Sequence, residues 1–279
     1  MSRDFNPGRP SNRPRRPPRE GWEGWDQYAP FYDWENARTL GRRDVKFWTR
    51  LARLVRGRVL ELGCGTGRVS WPLVKAGVDL VGIDRSEAML ARATKTTPSV
   101  VRVRGDIRAL PFADRSFAMA IAPYGVLQSL TRPRDLADAL RSVTRVVGPG
   151  GMLGIDLVPD VPNWREYKNK IQLRGRSGAA HLTLVESVRQ DRRRRVTTFE
   201  QCYIERRGRE TREHRFELTF RTLSVPTMMR ELARAGFRVT AVLGDYDGRS
   251  LDARLNERAP GGWGAWSDQN ACLILAIKG

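Results

Sequence analysis

Short apolar runs alternate with amphipathic stretches over the middle of the chain. The runs lie at residues 59–62, 78–83, 100–103, 116–122 and 152–158. Residues 134–147, between the fourth and fifth runs, place Leu136, Ala139, Leu140 and Val143 on one side of a helix. Apolar runs separated by helical segments are typical of a parallel sheet covered by helices. The pattern therefore predicts an α/β core over residues 59–158.

The first apolar run ends in an acidic residue and a glycine-rich turn. Glu61 precedes the sequence Gly-Cys-Gly-Thr-Gly at residues 63–67, in which glycines occupy alternate positions. Glycine adopts backbone conformations that other residues avoid and lets a ligand lie directly against the chain. A helix expected to begin near Arg68 would add unpaired N–H groups and a partial positive charge. The segment predicts a nucleotide-type site, and the alternative is an ordinary strand-to-helix turn.

Two further acidic residues follow the next apolar runs. Asp84 ends the second run and Asp106 follows the third. A carboxylate at the end of the second strand of a βαβ unit suits a ribose, because it accepts hydrogen bonds from both hydroxyls. Each acid alone is more often a solvated strand end. With Glu61, however, three acids occupy corresponding positions at strand ends. A solvated strand end is a poor explanation for all three.

The motif Glu61-x-Gly63-x-Gly65-x-Gly67 resembles the E/D-x-G-x-G-x-G motif of class I S-adenosylmethionine (SAM) methyltransferases. It differs from the dinucleotide fingerprint G-x-G-x-x-G, whose third glycine comes one residue later. The resemblance covers residues 59–158, and the passage 226–243 and the last strand at 270–278 are also similar to this family. It implies an α/β, Rossmann-like, seven-stranded and mostly parallel sheet with strand order 3-2-1-4-5-7-6.

The resemblance also implies which residues hold the cofactor. Glu61 would balance the positive methionine end, Asp84 would bind the ribose, Asp106 would bind the adenine amino group and Ile107 would cover the ring. The predicted cofactor-binding residues are Glu61, Gly63, Cys64, Gly65, Thr66, Gly67, Asp84, Arg85, Met89, Asp106, Ile107, Pro123, Tyr124, Tyr28 and Tyr32. The cofactor would be SAM, and its product S-adenosylhomocysteine.

The acceptor side of the site is expected at two aromatic segments. Pro123 and Tyr124 follow the fourth run, and in this family the loop there borders the methyl group and the acceptor. Residues 28–33, Tyr-Ala-Pro-Phe-Tyr-Asp, resemble a stretch before the first helix that forms part of a lid in small-molecule methyltransferases. For Pro123 and Tyr124 the alternative is a plain turn with an aromatic plug. For residues 28–33 the alternative is a hydrophobic anchor of the N-terminal segment to the core. The candidate general bases are Tyr124, Tyr32, His181 and His214. No motif supports any of them, so the catalytic residue is left unassigned.

The pattern changes after residue 158. Phe216, Leu218 and Phe220 alternate with polar residues, a pattern typical of a strand. Residues 182–188 and 196–204 are also predicted to be strands, although their alternation is less regular. This predicts an inserted antiparallel sheet of three or four strands, forming a lid, a substrate wall or a contact with a second subunit. Before the core, residues 40–55 predict an amphipathic helix with Leu54 among its inward residues.

The predicted organisation has five parts. They are a disordered basic tail at 1–20, an N-terminal lid and helix at 21–56, a SAM-binding core at 57–158, the inserted β element at 159–222 and the C-terminal part of the core at 223–279. The tail holds six arginines and five prolines, a composition typical of disorder.

Composition limits the function classes. Among 279 residues, 50 Lys and Arg against 31 Asp and Glu give a net charge of +19. Such a charge suits nucleic acid or a solvated arginine-rich surface. The surface is favoured, because the sequence shows no basic motif interleaved with aromatic residues and no known nucleic-acid module. A nucleic-acid methyltransferase is also not favoured, because Ala122-Pro123-Tyr124 lacks the Asn or Asp of the N/D-P-P-Y/F signature of amino-methylating nucleic-acid enzymes. Two histidines, and three cysteines without zinc spacing, predict no metal. No apolar run approaches the roughly 18 residues of a membrane span, and no secretion signal is visible, so a soluble cytoplasmic protein without a membrane partner is expected.

The predicted function is transfer of the SAM methyl group to an oxygen, nitrogen or carbon nucleophile of a small molecule. One alternative is a nucleic-acid (RNA) methyltransferase that uses the basic tail. The other is a non-catalytic SAM-binding protein. The sequence identifies neither the acceptor nor the oligomeric state.

Overall fold

The computed structural model describes residues 23–39, 43–158, 166–251 and 272–279, so the predicted tail at 1–20 lies outside the described residues. The helices are α1 (Trp25–Asn36), α2 (Arg43–Arg53), α3 (Ser70–Lys75), α4 (Glu87–Thr96), α5 (Pro133–Val146) and α6 (Val225–Arg234), with a short 3-10 helix at Val126–Ser129. The strands are β1 (Val59–Leu62), β2 (Leu80–Asp84), β3 (Val101–Arg104), β4 (Phe117–Ala122), β5 (Val147–Leu157), β6 (Tyr167–Ser177), β7 (Ala180–Asp191), β8 (Val196–Arg207), β9 (Glu210–Arg221), β10 (Phe237–Leu243) and β11 (Cys272–Lys278).

Seven strands form the central sheet, in the order β10-β11-β5-β4-β1-β2-β3. Strand β11 is antiparallel to both β10 and β5, and the other neighbours are parallel. Numbered within this sheet, the order is 3-2-1-4-5-7-6, which confirms the predicted fold. The order reverses between β1 and β4, and ligands of open α/β sheets bind at the carboxyl ends of the strands beside such a reversal.

Helices cover both faces of this sheet, and strand β4 shows how. Ala120 and Ala122 belong to the cluster that packs against α5 and α6. Met119 and Ile121 alternate with them and pack against α2 and α3. All four are fully buried, as expected for a strand sandwiched between two helical layers. No helix in the described ranges combines the length and the apolar character needed to span a membrane.

The N-terminal segment differs from the sequence-based expectation. The aromatic stretch at 28–33 does not precede the first helix, because it lies within α1. Helix α2 ends at Arg53, two residues before the predicted end. Leu54 then enters a tight turn, with its N–H donating to the Leu51 carbonyl, and its side chain is 79% exposed rather than buried. Trp48 of α2, in contrast, is fully buried.

A second sheet is inserted between β5 and α6. Its four antiparallel strands follow chain order, β6-β7-β8-β9, so the predicted β insertion is confirmed. Its apolar residues Leu184, Phe199, Tyr203 and Phe216 form one cluster with the aromatic residues of α1. Helix α1 therefore lies between the inserted sheet and the core, where it can position residues for both.

Candidate functional site

A cleft of about 330 Å³ lies at the carboxyl ends of β1, β2, β3 and β4. Several sequence-predicted residues line it: Tyr32, Gly63, Gly65, Asp84, Arg85, Met89, Asp106, Ile107, Pro123 and Tyr124. Sequence reasoning missed Trp25, Asp26, Ser86 and Arg108, which also line it. Trp25 lies three residues before the aromatic stretch at 28–33, whereas no sequence signal marked Arg108.

The three glycines of the turn all require positive φ, at +65° for Gly63, +53° for Gly65 and +86° for Gly67. A Cβ on Gly63 would lie 2.4 Å from Cγ2 of Val126, and one on Gly67 would lie 2.8 Å from Oγ1 of Thr97. A Cβ on Gly65 would meet no atom closer than 3.9 Å. The first and third glycines therefore permit packing, while Gly65 presents bare backbone to the cleft.

Asp84 is held in place by backbone amides. The Gly65 N–H donates to Oδ2 and the Ser86 N–H donates to Oδ1, both at 2.8 Å. Ser86 also caps helix α4, since its Oγ accepts from the Met89 N–H at 3.1 Å. Burial raises the pKa of Asp84, while the amide hydrogen bonds lower it. The Arg85 backbone amide contributes a third hydrogen bond, and a carboxylate offers about four acceptor sites in all, so it can still accept from a ligand hydroxyl.

Asp106 is surrounded by arginine. Its Oδ2 accepts from Arg108 Nη2 at 2.7 Å and from Arg85 Nη1 at 3.1 Å. Burial raises the pKa of Asp106, but the hydrogen bonds and charge of Arg108 outweigh it, so the net pKa is lowered. The side chain is therefore an ionised acceptor at the edge of the cleft, beside the apolar Ile107.

This geometry can be compared with known proteins. The sequence profile described as "Methyltransferase domain" matches residues 59–151. A demethylmenaquinone methyltransferase of Paenarthrobacter aurescens (strain TC1) is 34% identical over 180 residues, which cover 59% of this chain and 69% of that protein. The chain belongs to the class I SAM-dependent methyltransferase family. The chain spans about half the length of other curated relatives that it matches.

Solved structures show the same fold. The CcbJ methyltransferase from Streptomyces caelestis superimposes with a TM-score of 0.71 at 21% identity, covering 91% of this chain and 96% of that one. SAM-bound CalS10, an amino pentose methyltransferase from Micromonospora echinaspora, gives a TM-score of 0.61 at 20% identity, covering 92% and 93%. At these identities the similarity shows a shared fold alone.

Five of the predicted cofactor-binding residues do not line the cleft: Glu61, Cys64, Thr66, Gly67 and Tyr28. Cys64 is buried and packs against Gly82 of the neighbouring strand. Thr66 Oγ1 donates to Asp33 Oδ1 at 2.6 Å, which ties the turn to α1. Tyr28 faces the inserted sheet. These residues support the turn and its surroundings from behind.

Glu61 lies beneath the glycine turn and is only 2% exposed. Its Oε2 accepts from Ser70 Oγ at 2.5 Å. Burial raises the pKa of this carboxyl to about 8. The expected balancing of the methionine end by Glu61 stays a prediction, and in this arrangement the carboxyl is withdrawn from the cleft wall.

We predict a pH effect on stability from Glu61. Between its ordinary pKa and about 8, the folded state binds a proton that the unfolded state has released, so this carboxyl makes the free energy of unfolding fall as pH rises. Urea unfolding between pH 5 and 8.5 should show the free energy of unfolding declining with pH in the wild type. In Glu61→Gln this decline should be less steep, by an amount that corresponds to up to about one bound proton. Glu210→Gln, at an exposed ion pair, should match wild type. An unchanged slope in Glu61→Gln would contradict the assignment.

Tyr124 is fixed at the end of β4 by its backbone. Its φ is +55°, and its N–H donates to Asp156 Oδ2 at 3.0 Å. The Tyr246 hydroxyl donates to the same oxygen at 2.6 Å, and burial raises the pKa of Asp156 to about 6. The Arg68 guanidinium lies 5.4 Å from the centre of the Tyr124 ring. A non-glycine residue with positive φ is uncommon and must be held by its surroundings.

The four candidate bases fall into two pairs. Tyr32 and Tyr124 meet edge to face at the cleft, with ring centres 6.3 Å apart. Burial raises the pKa of both hydroxyls, which disfavours the phenolate. His181 is exposed on β7, and His214 on β9 pairs with Glu205 at 3.2 Å, so neither histidine is on the cleft wall. Over the described ranges, no three His, Cys, Asp or Glu side chains are grouped to hold a metal ion.

Proposed function

We propose that this protein binds SAM in the cleft at the ends of β1 to β4 and methylates a small molecule, with release of S-adenosylhomocysteine. The observation that carries the proposal is the Asp84 carboxylate, held by two backbone amides beside a turn of three positive-φ glycines. When bound, SAM supplies an activated methyl group. The protein then has to position the acceptor and exclude water.

The residues of the cleft fit this cofactor. The exposed backbone at Gly65 leaves room for the methionine tail, and the Asp84 carboxylate on the cleft wall is an acceptor that suits ribose hydroxyls. Met89 and Ile107 offer apolar surface for the adenine ring. A volume of about 330 Å³ lies within the usual range of ligand pockets.

A small acceptor is favoured by what surrounds the cleft. Trp25 and Tyr32 of α1 line it from the side of the inserted sheet, which limits the space next to Tyr124. The demethylmenaquinone methyltransferase relative is named for a small-molecule acceptor. A nucleic-acid acceptor and a non-catalytic SAM-binding role are the alternatives. The five-part organisation and the cytoplasmic location stay predictions.

Calorimetry with SAM and with S-adenosylhomocysteine tests the cofactor assignment. We expect both to bind with dissociation constants on the order of micromolar, and adenosine to bind more weakly, because it lacks the methionine tail. No heat of binding from either SAM or its product would contradict the proposal.

Turnover separates the alternatives. A metabolite extract supplied with labelled methyl donor should give a labelled small molecule. Label incorporated only into added RNA, with a steep loss of rate as salt increases, would favour the nucleic-acid alternative. Cofactor binding without label transfer to any acceptor would favour the non-catalytic one.

A further inference from the structure

A second cavity, of about 30 Å³, lies between α1 and the inserted sheet. Trp25 and Tyr124 line both this cavity and the cofactor cleft, so the two spaces adjoin. Its apolar wall is formed by Trp25, Tyr28, Tyr124, Phe199, Leu218 and Phe220. Its polar lining residues are Glu35, Thr39, Glu186 and Gln201. We call this space the acidic chamber.

The two carboxylates of the acidic chamber are held by neutral donors. Oε2 of Glu35 accepts from the hydroxyls of Tyr28, at 3.0 Å, and Tyr203. Oε1 of Glu186 accepts from the Tyr167 hydroxyl, and Oε2 from Gln201 Nε2 at 3.0 Å. Neutral donors orient a carboxylate but leave its charge without a partner.

The part of the chain that the structure describes supplies no cationic partner to these two carboxylates. Among the described residues, no lysine or arginine forms an ion pair with Glu35 or Glu186. Lys170 exerts a charge effect on Glu186, but its Nζ lies over the Tyr167 ring, 5.4 Å from the ring centre. Burial raises the pKa of Glu35 to about 7 and also raises that of Glu186. A buried carboxylate is normally paired, so two without a cation make a site complementary to one.

Gln201 supplies an independent observation. Its side chain is 5% exposed, and Oε1 has no hydrogen-bond partner. The orientation of the amide is fixed, because Nε2 donates to Glu186 and an ionised carboxylate can only accept. A buried acceptor without a donor is costly. The acidic chamber thus presents three acceptor groups, and the ring faces around them also favour a cation.

We propose that the acidic chamber binds the ammonium group of the methyl acceptor, which makes the acceptor an amine. This inference rests on the proposed function, since it assigns the substrate class of the same site. Methylation needs the neutral amine. The proton passes to a carboxylate oxygen of Glu35, the N–H bond breaks, and its electron pair stays on nitrogen. Glu186 and Gln201 then position the nitrogen beside Tyr124, at the border with the cofactor cleft.

Binding of a minimal amine tests this inference without turnover. Isobutylammonium and its neutral counterpart isobutanol would be titrated into ¹⁵N-labelled protein with S-adenosylhomocysteine present, following the indole N–H signal of Trp25, assigned with Trp25→Phe. We expect a saturable shift with the ammonium compound only. Glu35→Gln and Glu186→Gln should raise its dissociation constant about tenfold. Glu200→Gln, at an exposed ion pair on β8 of the same sheet, should leave it unchanged.

A third variant tests the inference even if a glutamate variant does not fold. Gln201→Met retains both carboxylates and removes the orphaned oxygen, so it should weaken ammonium binding about threefold even if a glutamate variant does not fold. Equal binding of isobutanol, or wild-type affinity in the glutamate and Gln201 variants, would overturn the inference and leave the network a structural one. Failure of S-adenosylhomocysteine to bind while the amine still binds would instead reject the proposed function.

Discussion

Replacing Asp84 with alanine is expected to raise the dissociation constant for SAM about 100-fold. Two hydrogen bonds from ribose hydroxyls to an ionised carboxylate would be lost, each worth about 1.5 kcal/mol, or about 3 kcal/mol together. The effect should be large because Asp84 is pre-oriented by the amides of Gly65 and Ser86, so little ordering opposes binding. Calorimetry with wild type and variant measures it.

The controls separate ligand contact from support of the turn. Asp79→Ala removes an exposed acid just before the same strand β2 and should leave the affinity unchanged. Asp84→Asn keeps the size of the side chain and one acceptor oxygen, so its affinity should lie between those of wild type and Asp84→Ala. Unfolding curves for each variant show whether the turn is intact. Wild-type affinity in Asp84→Ala would mean that the ribose assignment is wrong.

The core of the fold was predictable because its signals are local. Gly63, Gly65 and Gly67 occupy positive-φ positions. Glycine is the residue type favoured at such positions, so the spacing of glycines in the sequence is enough to indicate the turn. The buried strands β1 and β4 are almost wholly apolar because helices cover both of their faces. Strand order followed from resemblance to a family rather than from these patterns, and the sheet confirms it.

Strand β6 was not predicted, because it lacks a regular alternation. It lies at the edge of the inserted sheet, and its pairing with β7 shifts register between Tyr167 and Lys170 and again between Ile171 and Leu173. An irregular edge strand exposes residues on both faces, and Ile171 is one of them. Period-two patterns identify strands with one buried face, such as β9.

The acidic chamber could not be predicted from sequence for a different reason. Glu35, Glu186 and Gln201 come from α1, β7 and β8, and each is an ordinary polar residue within its own element. Only packing of α1 on the inserted sheet brings them together. The same applies to Thr66, whose bond to Asp33 crosses from the turn to α1.

The second large effect is expected at Arg68, which follows the glycine turn. Its Nη1 and Nη2 donate to the two oxygens of Asp44, both at 2.7 Å. Asp44 is fully buried and the Arg68 side chain is 12% exposed. Arg68→Met would leave the Asp44 carboxylate buried without a cation, and we expect a loss of about 3–5 kcal/mol in the free energy of unfolding. Urea unfolding at neutral pH measures this loss.

A double-mutant cycle identifies the source of that loss. If the cost comes from an unpaired charge rather than from lost packing, Asp44→Leu combined with Arg68→Met should be more stable than Arg68→Met alone, although it carries one more substitution. Arg58→Met, which breaks an exposed pair with Asp79, should cost less than about 1 kcal/mol. Equal losses in the Arg68 and Arg58 variants would show that burial does not strengthen the Arg68 pair. A confirmed coupling would mean that one buried ion pair joins α2 to the start of α3 and supports the arginine that faces the ring of Tyr124.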